Sequence, residues 1–172
     1  TLTMWGGANQ SIFNNMVAVD NFALVFKLLF AGIAVLVILA SLDYVGKMAR
    51  FQGEYFALIL LSTIGMTLMA SAADLIAIYL AIELTVLPIC ALVALLKDQK
   101  STEAGLKYVL LSATISAVLL FGMALVFGIT GKTQISEIAA AISGLKLASA
   151  AANPALMAGI VLIIAGFGFK IA

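Results

Sequence analysis

The sequence predicts an all-α fold, a polytopic membrane helix bundle of about five transmembrane helices. Of the 172 residues, 65% are hydrophobic and only 10% are charged, and the mean hydropathy is +1.23. The apolar residues are gathered into runs close to the roughly 20 residues that a helix needs to cross a ~30 Å hydrocarbon core. Because so little polar surface cannot coat a soluble globule, we expect the solvent of this chain to be a lipid bilayer.

The long apolar runs give the positions of the predicted spans. They cover residues 21–42, 55–71, 75–96, 103–130 and 155–172. Asp74 is placed to cap the third span and Ser101 the fourth, because a side-chain oxygen there accepts from the free N–H groups of a helix start. Apolar residues at helical spacing over 135–147 predict a short interfacial helix. Residues 1–20, which contain Trp5 and several amides, are expected to form an interfacial loop.

The absence of histidine and the presence of only one cysteine exclude several classes of chemistry. The chain has no histidine and a single cysteine, Cys90. This excludes a histidine proton relay and a Ser-His-Asp triad, and also a disulfide framework or an iron–sulfur cluster built by this chain alone. The nine basic and eight acidic residues nearly balance, which argues against a nucleic-acid partner. Because the chain has no histidine, proton handling falls to Lys, Glu, Asp and Tyr. We expect no cofactor and no metal on this chain.

Basic residues in the loops predict the orientation of the bundle. The first and third connections between spans carry Lys47, Arg50, Lys97 and Lys100. By the positive-inside rule these two connections face the cytoplasm. The 131–154 connection also carries Lys132 and Lys146, so the bias is not absolute. Small residues in the fourth span are expected to allow close helix packing, and they are Ser112, Ser116, Gly122 and Gly128.

Glu83 is the deepest acidic residue in the predicted spans. It lies nine residues after Asp74, which at 1.5 Å per residue places it ~13 Å into the membrane. A charged side chain there costs roughly 2.5–3.5 kcal/mol, so we expect Glu83 to face the bundle interior and meet a partner, water or a proton. Pro88, five residues on, denies a hydrogen bond to the Leu84 carbonyl and predicts a helix kink. The alternative for Glu83 is a purely structural polar contact between helices.

Three lysines lie within the predicted spans. Lys170 follows Pro154 by 16 residues, which gives a depth of ~24 Å if the helix is continuous, whereas Lys107 is only ~9 Å deep. The alternative for both, and for Lys27, is a side chain that snorkels to the membrane surface. Burial favours the neutral forms of Glu and Lys, and pairing favours the charged forms. A buried Glu and Lys that can pair and separate therefore make a proton switch.

Several segments carry residue patterns that are more specific than hydrophobicity alone. Asp74 to Leu95 reads DLIAIYLAIELTVLPICALVAL, and Glu103 to Gly131 reads EAGLKYVLLSATISAVLLFGMALVFGITG. The EAGLKY segment, the GITG ending and GFGFK at 166–170 resemble the N-type antiporter-like membrane subunit of the proton-pumping NADH:quinone oxidoreductase, complex I. The mitochondrial counterpart of that subunit is subunit 2.

The resemblance implies a partial chain and a set of functional residues. The spans resemble helices three to seven of a subunit of about 14 helices, so residues 1–172 are expected to be one fragment of a single transmembrane domain. By resemblance Glu83, Lys107 and Lys170 are the proton-transfer residues of helices five, six and seven. The lysines of helices eight and twelve in the family have no counterpart here.

The implied function is that of a non-redox, proton-translocating subunit of a respiratory NADH:quinone reductase. Quinone reduction elsewhere in the complex would be coupled to proton transfer through the buried Glu and Lys. NADH, FMN, iron–sulfur clusters and quinone would be bound by other subunits and none by this chain. The implied partners are neighbouring antiporter-like and small membrane subunits, the lipid bilayer and protons. The expected location is the bacterial inner membrane or, alternatively, the mitochondrial inner membrane.

Two other functions fit the same residues. One is a subunit of a multisubunit sodium/proton antiporter, which shares the helix arrangement and the buried Glu and Lys. The other is a structural membrane subunit that scaffolds its neighbours without moving protons. Similar subunits occur in relatives that use ferredoxin or coenzyme F420, so the electron donor, the quinone and the proton stoichiometry are left open by the sequence.

Overall fold

The computed structural model describes residues 10–48, 50–144 and 153–171. These residues form a β-hairpin and six helices. The elements are β1 (Gln10–Ile12), β2 (Val17–Val19), α1 (Asn21–Gly46), α2 (Gln52–Met69), α3 (Leu75–Val93), α4 (Gln99–Thr130), α5 (Ile135–Gly144) and α6 (Pro154–Ile171). The predicted all-α membrane bundle is confirmed as the fold class.

The number of clear membrane spans differs from the prediction. Four of the described helices, α1, α3, α4 and α6, are long and apolar enough to cross a membrane. The predicted span at 55–71 overlaps α2, but the 18 residues of α2 begin with Gln52 and carry Glu54 in the first turn. Because these polar residues shorten its apolar part, α2 is not among the helices that are long and apolar enough to cross a membrane.

The helix ends also differ from the predicted span ends. α1 continues past residue 42 to Gly46, so its last four residues are helical although they lie beyond the predicted apolar run. α3 ends at Val93 rather than at 96, and Lys97 just beyond it has a left-handed backbone with φ of 56°. The short helix predicted over 135–147 is α5, which ends at Gly144. Some positions named in the predictions lie outside the described residues: Trp5, residues 145–147 with Lys146, and Ala172.

A β-hairpin stands where an interfacial loop was predicted. β1 and β2 pair antiparallel around a turn in which Phe13, Asn14 and Asn15 have positive φ, a conformation that Asn tolerates well. The Ala18 N–H donates to the Ser71 carbonyl at 2.7 Å. For residues 10–19 the predicted loop is wrong, because strands of three residues are too short to show a pattern of alternating apolar residues.

Backbone hydrogen bonds join the hairpin and two helix connections at one end of the bundle, which we call the hairpin end. The Ala73 N–H donates to the Met16 carbonyl at 2.9 Å, the Leu75 N–H to Thr133 at 2.9 Å, and the Ile135 N–H to Ala73 at 3.1 Å. The start of α3 and the end of α4 are therefore fixed to one another.

The opposite end, which we call the lysine end, brings the two basic connections together. Val45, Met48 and Leu95 form a buried apolar cluster there, with Phe51 packed against it. The Lys97 ammonium lies 4.8 Å from the centre of the Phe51 ring, within the range of a cation–π contact. The predicted cytoplasmic orientation of this end stays a prediction.

Aspartates cap the two helices that bear on the site. The Asp74 side chain accepts from the Ile76 N–H at 2.8 Å, as predicted. The predicted Ser101 cap is wrong, because Asp98 is the N-cap of α4 and accepts from the Ser101 N–H at 2.7 Å. That backbone hydrogen bond lowers the pKa of the Asp98 carboxyl, since it stabilises the charged form.

Glycines allow α4 and α6 to approach closely. A Cβ atom added at Gly122 would lie 2.9 Å from the Gly159 carbonyl oxygen and from the Ile163 nitrogen. One added at Gly166 would lie 2.8 Å from the Leu119 Cβ. The close packing predicted for Gly122 is therefore confirmed. At Gly128 an added Cβ would meet no described atom within 4 Å, so that prediction is wrong for the described contacts.

Gly122→Ala should separate α4 from α6, because its new methyl group meets backbone atoms that cannot rotate away. Overpacking of this kind costs about 1–3 kcal/mol. We expect a lower melting temperature of the full-length subunit in detergent, measured by intrinsic fluorescence. The matched control is Gly128→Ala on the same helix, which should leave the melting temperature unchanged or raise it. Equal melting temperatures for the two variants would contradict the close approach at Gly122.

Candidate functional site: a buried ion pair

Glu83 of α3 and Lys170 of α6 form an ion pair inside the bundle. The Lys170 Nζ lies 2.8 Å from the Glu83 Oε1. The side chains are only 9% exposed for Lys170 and 19% exposed for Glu83, so the two charges are largely removed from solvent. This places together two of the three residues predicted to transfer protons.

Ser116 of α4 completes the site. Its hydroxyl donates to the Glu83 Oε1 and accepts from the Lys170 Nζ at 2.9 Å. Ser116 is itself only 5% exposed. Among the described residues, no buried side-chain nitrogen or oxygen lacks a hydrogen-bond partner. The site therefore joins three polar groups that are contributed by three different helices.

Ser116 is a member of this polar site that the sequence did not predict. A serine on an apolar helix was interpreted as a small residue that allows close packing. The same residue type serves both roles, and only the register of α4 against α3 and α6 distinguishes them. One signal was present: Ser112 and Ser116 follow Tyr108 at intervals of four residues, so all three lie on one side of α4.

The helix packing explains why the three groups meet. α6 is helical without interruption from Pro154 to Ile171, so Lys170 is ~24 Å from the start of that helix. The close contact between Gly166 and Leu119 lies about one turn from Lys170 and Ser116 and brings α6 against α4. Lys170 is buried in the bundle rather than snorkelling, which was the alternative for it.

On the α3 side, α2 contacts the turn of α3 that precedes Pro88. α3 remains helical through Pro88, whose missing N–H leaves the Leu84 carbonyl without its usual donor. The Ser62 hydroxyl of α2 donates to the neighbouring Thr85 carbonyl at 3.0 Å. A Cβ at Gly65 would lie 2.5 Å from the Thr85 nitrogen, so α2 packs tightly here. The kink predicted at Pro88 stays a prediction.

A small cavity of about 80 Å³ adjoins Lys170 and extends along α4 toward the lysine end. Tyr108 and Ser112 contribute its polar side chains. The cavity is partly open, because Leu111 and Phe169 in its wall are exposed. Its volume is about that of two or three water molecules, and the hydroxyl groups and ammonium supply polar partners for them. Toward the hairpin end, Ile82, Leu119 and Met123 form a buried apolar cluster, and a second cavity of about 240 Å³, lined mostly by apolar side chains and by Thr85, also adjoins Lys170.

Lys107 is not brought into the ion pair. Its ammonium pairs with Glu103 one helical turn earlier, and the side chains of Lys107 and Glu103 are 73% and 62% exposed. Neither residue lines the 80 Å³ cavity, although the adjacent Tyr108 does. The role of Lys107 in proton transfer therefore stays a prediction.

A bundle of apolar helices with a carboxylate and an ammonium paired in its interior defines a class, the polytopic membrane proteins that hold ionisable groups within the bilayer. Residues 72–172 match the family model described as NADH:quinone oxidoreductase/Mrp antiporter, TM. The chain belongs to this transmembrane family.

Relatives in bacteria extend the comparison to nearly the whole chain. The chain is 44% identical, over its full length, to NADH-quinone oxidoreductase subunit N of Dehalococcoides mccartyi, of which it covers 36%. It is 47% identical to the subunit of the same name of Moorella thermoacetica, with 89% of this chain and 31% of that protein covered. The chain thus spans about a third of the length of the curated relatives it matches.

Two solved membrane complexes contain chains with a similar fold. One is respiratory complex I from Thermus thermophilus with bound aureothin, at 29% identity and a TM-score of 0.73 over 98% of this chain and 34% of that chain. The other is the membrane-bound sulfane sulfur reductase, an archaeal respiratory membrane complex, at 26% identity and a TM-score of 0.76. It is matched over 94% of this chain and 31% of that chain. The fold is that of the antiporter-like membrane subunits.

Removing one charge of the pair should destabilise the subunit more than removing both. Glu83→Gln or Lys170→Met alone leaves an uncompensated buried charge, which costs about 3–5 kcal/mol. In the double variant no unpaired charge remains, so we expect a melting temperature closer to that of the wild type. The measurement is thermal unfolding of the full-length subunit in detergent. Additive losses in the double variant would show that the two charges do not interact.

Proposed function

We propose that this chain forms the proton-translocating part of a membrane subunit of a respiratory NADH:quinone oxidoreductase. The observation that carries the proposal is the Glu83–Lys170 pair, with its 2.8 Å separation inside an apolar bundle. Ionisable groups at such depth are costly and mark ion or proton pathways in membrane proteins. The names of the bacterial relatives support the choice of complex.

The proposed step is a proton exchange at the Lys170 Nζ that is controlled by its distance from Glu83. Lengthening the charge separation from about 4 Å to about 6 Å weakens the attraction by ~1.4 kcal/mol at an effective dielectric constant of about 20. This changes a proton equilibrium by a factor of roughly ten. When the pair loosens, the ammonium releases its proton to water and becomes a neutral amine. When the pair tightens, the amine takes up a proton again.

Water in the cavity beside Lys170 would carry that proton. Tyr108 and Ser112 line this cavity, and both lie on the part of α4 that leads to the lysine end. Lys107 precedes Tyr108 and is proposed as the third member of the path, where it exchanges protons between the surface and the cavity. Its pairing with Glu103 holds it at the edge of the bundle rather than in the buried site.

The electron-transfer chemistry of the proposed complex lies in other subunits. NADH, FMN, iron–sulfur clusters and quinone would be bound there, so the subunit would contribute to the enzyme as a non-redox part of a proton-translocating reductase. Its partners would be the neighbouring antiporter-like and small membrane subunits in the bacterial inner membrane. Quinone reduction would act on this chain through changes in the charge of those neighbours.

Cation/proton antiport is the second candidate, because the family model covers Mrp antiporters as well. The same buried pair could exchange protons against sodium without any redox partner. In membrane vesicles containing the full chain and its partners, an antiporter subunit would acidify or alkalinise the lumen on addition of sodium alone. A subunit of the reductase would do so only on addition of NADH.

Neutralising either buried charge should abolish proton pumping. We expect Glu83→Gln and Lys170→Ala in the full-length subunit to lower NADH-driven pumping in inverted vesicles at least tenfold, measured by quenching of a pH-sensitive dye. The matched control is Glu137→Gln, which removes a carboxylate from a half-exposed ion pair with Lys132 and should pump normally. Normal pumping and normal quinone reduction in both test variants would refute the proposal.

Replacing Lys107 should have a smaller effect than replacing Lys170. Because an exposed ion pair contributes little to stability and water beside Lys107 can supply protons directly, we expect Lys107→Ala to slow pumping by only about two- to fivefold. The readout is the initial rate of dye quenching per unit of assembled complex. A loss as complete as that of Lys170→Ala would instead place Lys107 among the indispensable groups.

A further inference from the structure

The Ser116 hydroxyl is bonded to both members of the ion pair, although it lies on a helix that carries neither. We propose that Ser116 is a positioning residue that stays bonded to Glu83 and Lys170 in both protonation states of the lysine, so that the pair reforms after each proton transfer. This inference rests on the proposed function and deepens it.

The bonding capacity of a hydroxyl fits this role. A serine has one O–H donor and two acceptor lone pairs. Here the donor is directed to the Glu83 Oε1, and one lone pair accepts from the Lys170 Nζ. A neutral lysine amine retains two N–H donors, so its bond to Ser116 survives the loss of a proton. The Ser116 bond to Glu83 is unaffected, and only the attraction between ammonium and carboxylate is lost.

The burial of Glu83 explains why such a bond is needed. When the Lys170 ammonium moves away, a carboxylate without another partner would remain in an apolar bundle, and unsatisfied buried groups are costly. Ser116 is itself buried, at 5% exposure, so bulk water does not substitute for it at its position. The hydroxyl therefore keeps the separated state of the pair accessible.

A purely structural role is the competing explanation, and Ser62 provides its matched control. Ser62 has the same 5% exposure, and its hydroxyl also bonds across a helix interface, to the Thr85 carbonyl at 3.0 Å. It makes no described hydrogen bond to the ion pair. Ser62→Ala should therefore report the cost of losing a buried interhelical hydrogen bond without any effect on proton transfer.

The experiment uses the full-length subunit in the assembled membrane complex. Protons pumped per NADH oxidised and quinone reductase rate are measured in inverted vesicles for Ser116→Ala, Ser116→Thr, Ser116→Val and Ser62→Ala. Thr and Val have nearly the same shape and differ by the hydroxyl, so their comparison holds even where Ala assembles poorly. We expect Ser116→Val and Ser116→Ala to pump at least fivefold fewer protons per NADH than Ser116→Thr, as loss of about 1 kcal/mol or more implies. Ser62→Ala should keep the wild-type ratio.

A double-variant comparison separates positioning from packing. If Ser116 acts through the pair, Ser116→Ala should cause no further loss of pumping in the Lys170→Ala background. Equal proton-to-NADH ratios for Ser116→Thr and Ser116→Val, with pumping still lost in Glu83→Gln and Lys170→Ala, would overturn the role of Ser116 and leave the proposed function standing. Normal pumping in Glu83→Gln and Lys170→Ala would instead refute the proposed function.

Discussion

The organisation of the bundle depends on keeping two opposite charges paired in an apolar interior. Either charge alone is strongly destabilising at that depth, because among the described residues the desolvation of each is offset by the other and by the Ser116 hydroxyl. The Lys170 Nζ and the Glu83 Oε1 are 2.8 Å apart, and the pair joins helices that are distant in sequence. Three helices must therefore hold a common register to within a fraction of an ångström for the site to exist.

Close backbone packing provides that register. α4 and α6 are in contact at Gly122 and again at Gly166, where a larger residue would push the helices apart and separate Ser116 from Lys170. At the hairpin end, hydrogen bonds through Ala73 and Leu75 join the start of α3 to the segment after α4. These hydrogen bonds fix α3 and α4 along the bundle axis and so set the relative heights of Glu83 and Ser116 in the bundle. The hairpin therefore helps to position the site without contacting it.

Depth within a span can be counted along the chain, and this was enough to predict that Glu83 is buried. For Lys170 depth left snorkelling open, and the family resemblance was needed to predict that it pairs with Glu83. Neither was sufficient for Ser116, whose role depends on which faces of α3, α4 and α6 meet. The same limit explains the Asp98 cap, since Asp98 and Ser101 are both good capping residues and the first turn of α4 decides between them. The hairpin was missed because its pairing is too short for a periodic signal.

The surroundings of the ion pair differ on its two sides, and this bears on how a proton could move. Toward the hairpin end the pair is bounded by the apolar side chains of Ile82, Leu119 and Met123, which offer no hydrogen bonds to water. Toward the lysine end the cavity beside Lys170 carries the hydroxyl groups of Tyr108 and Ser112. A second cavity of about 240 Å³, lined mostly by apolar side chains and by Thr85, also adjoins Lys170. The described surroundings of Lys170 are therefore more polar toward the lysine end, which in the proposed function favours proton exchange on that side.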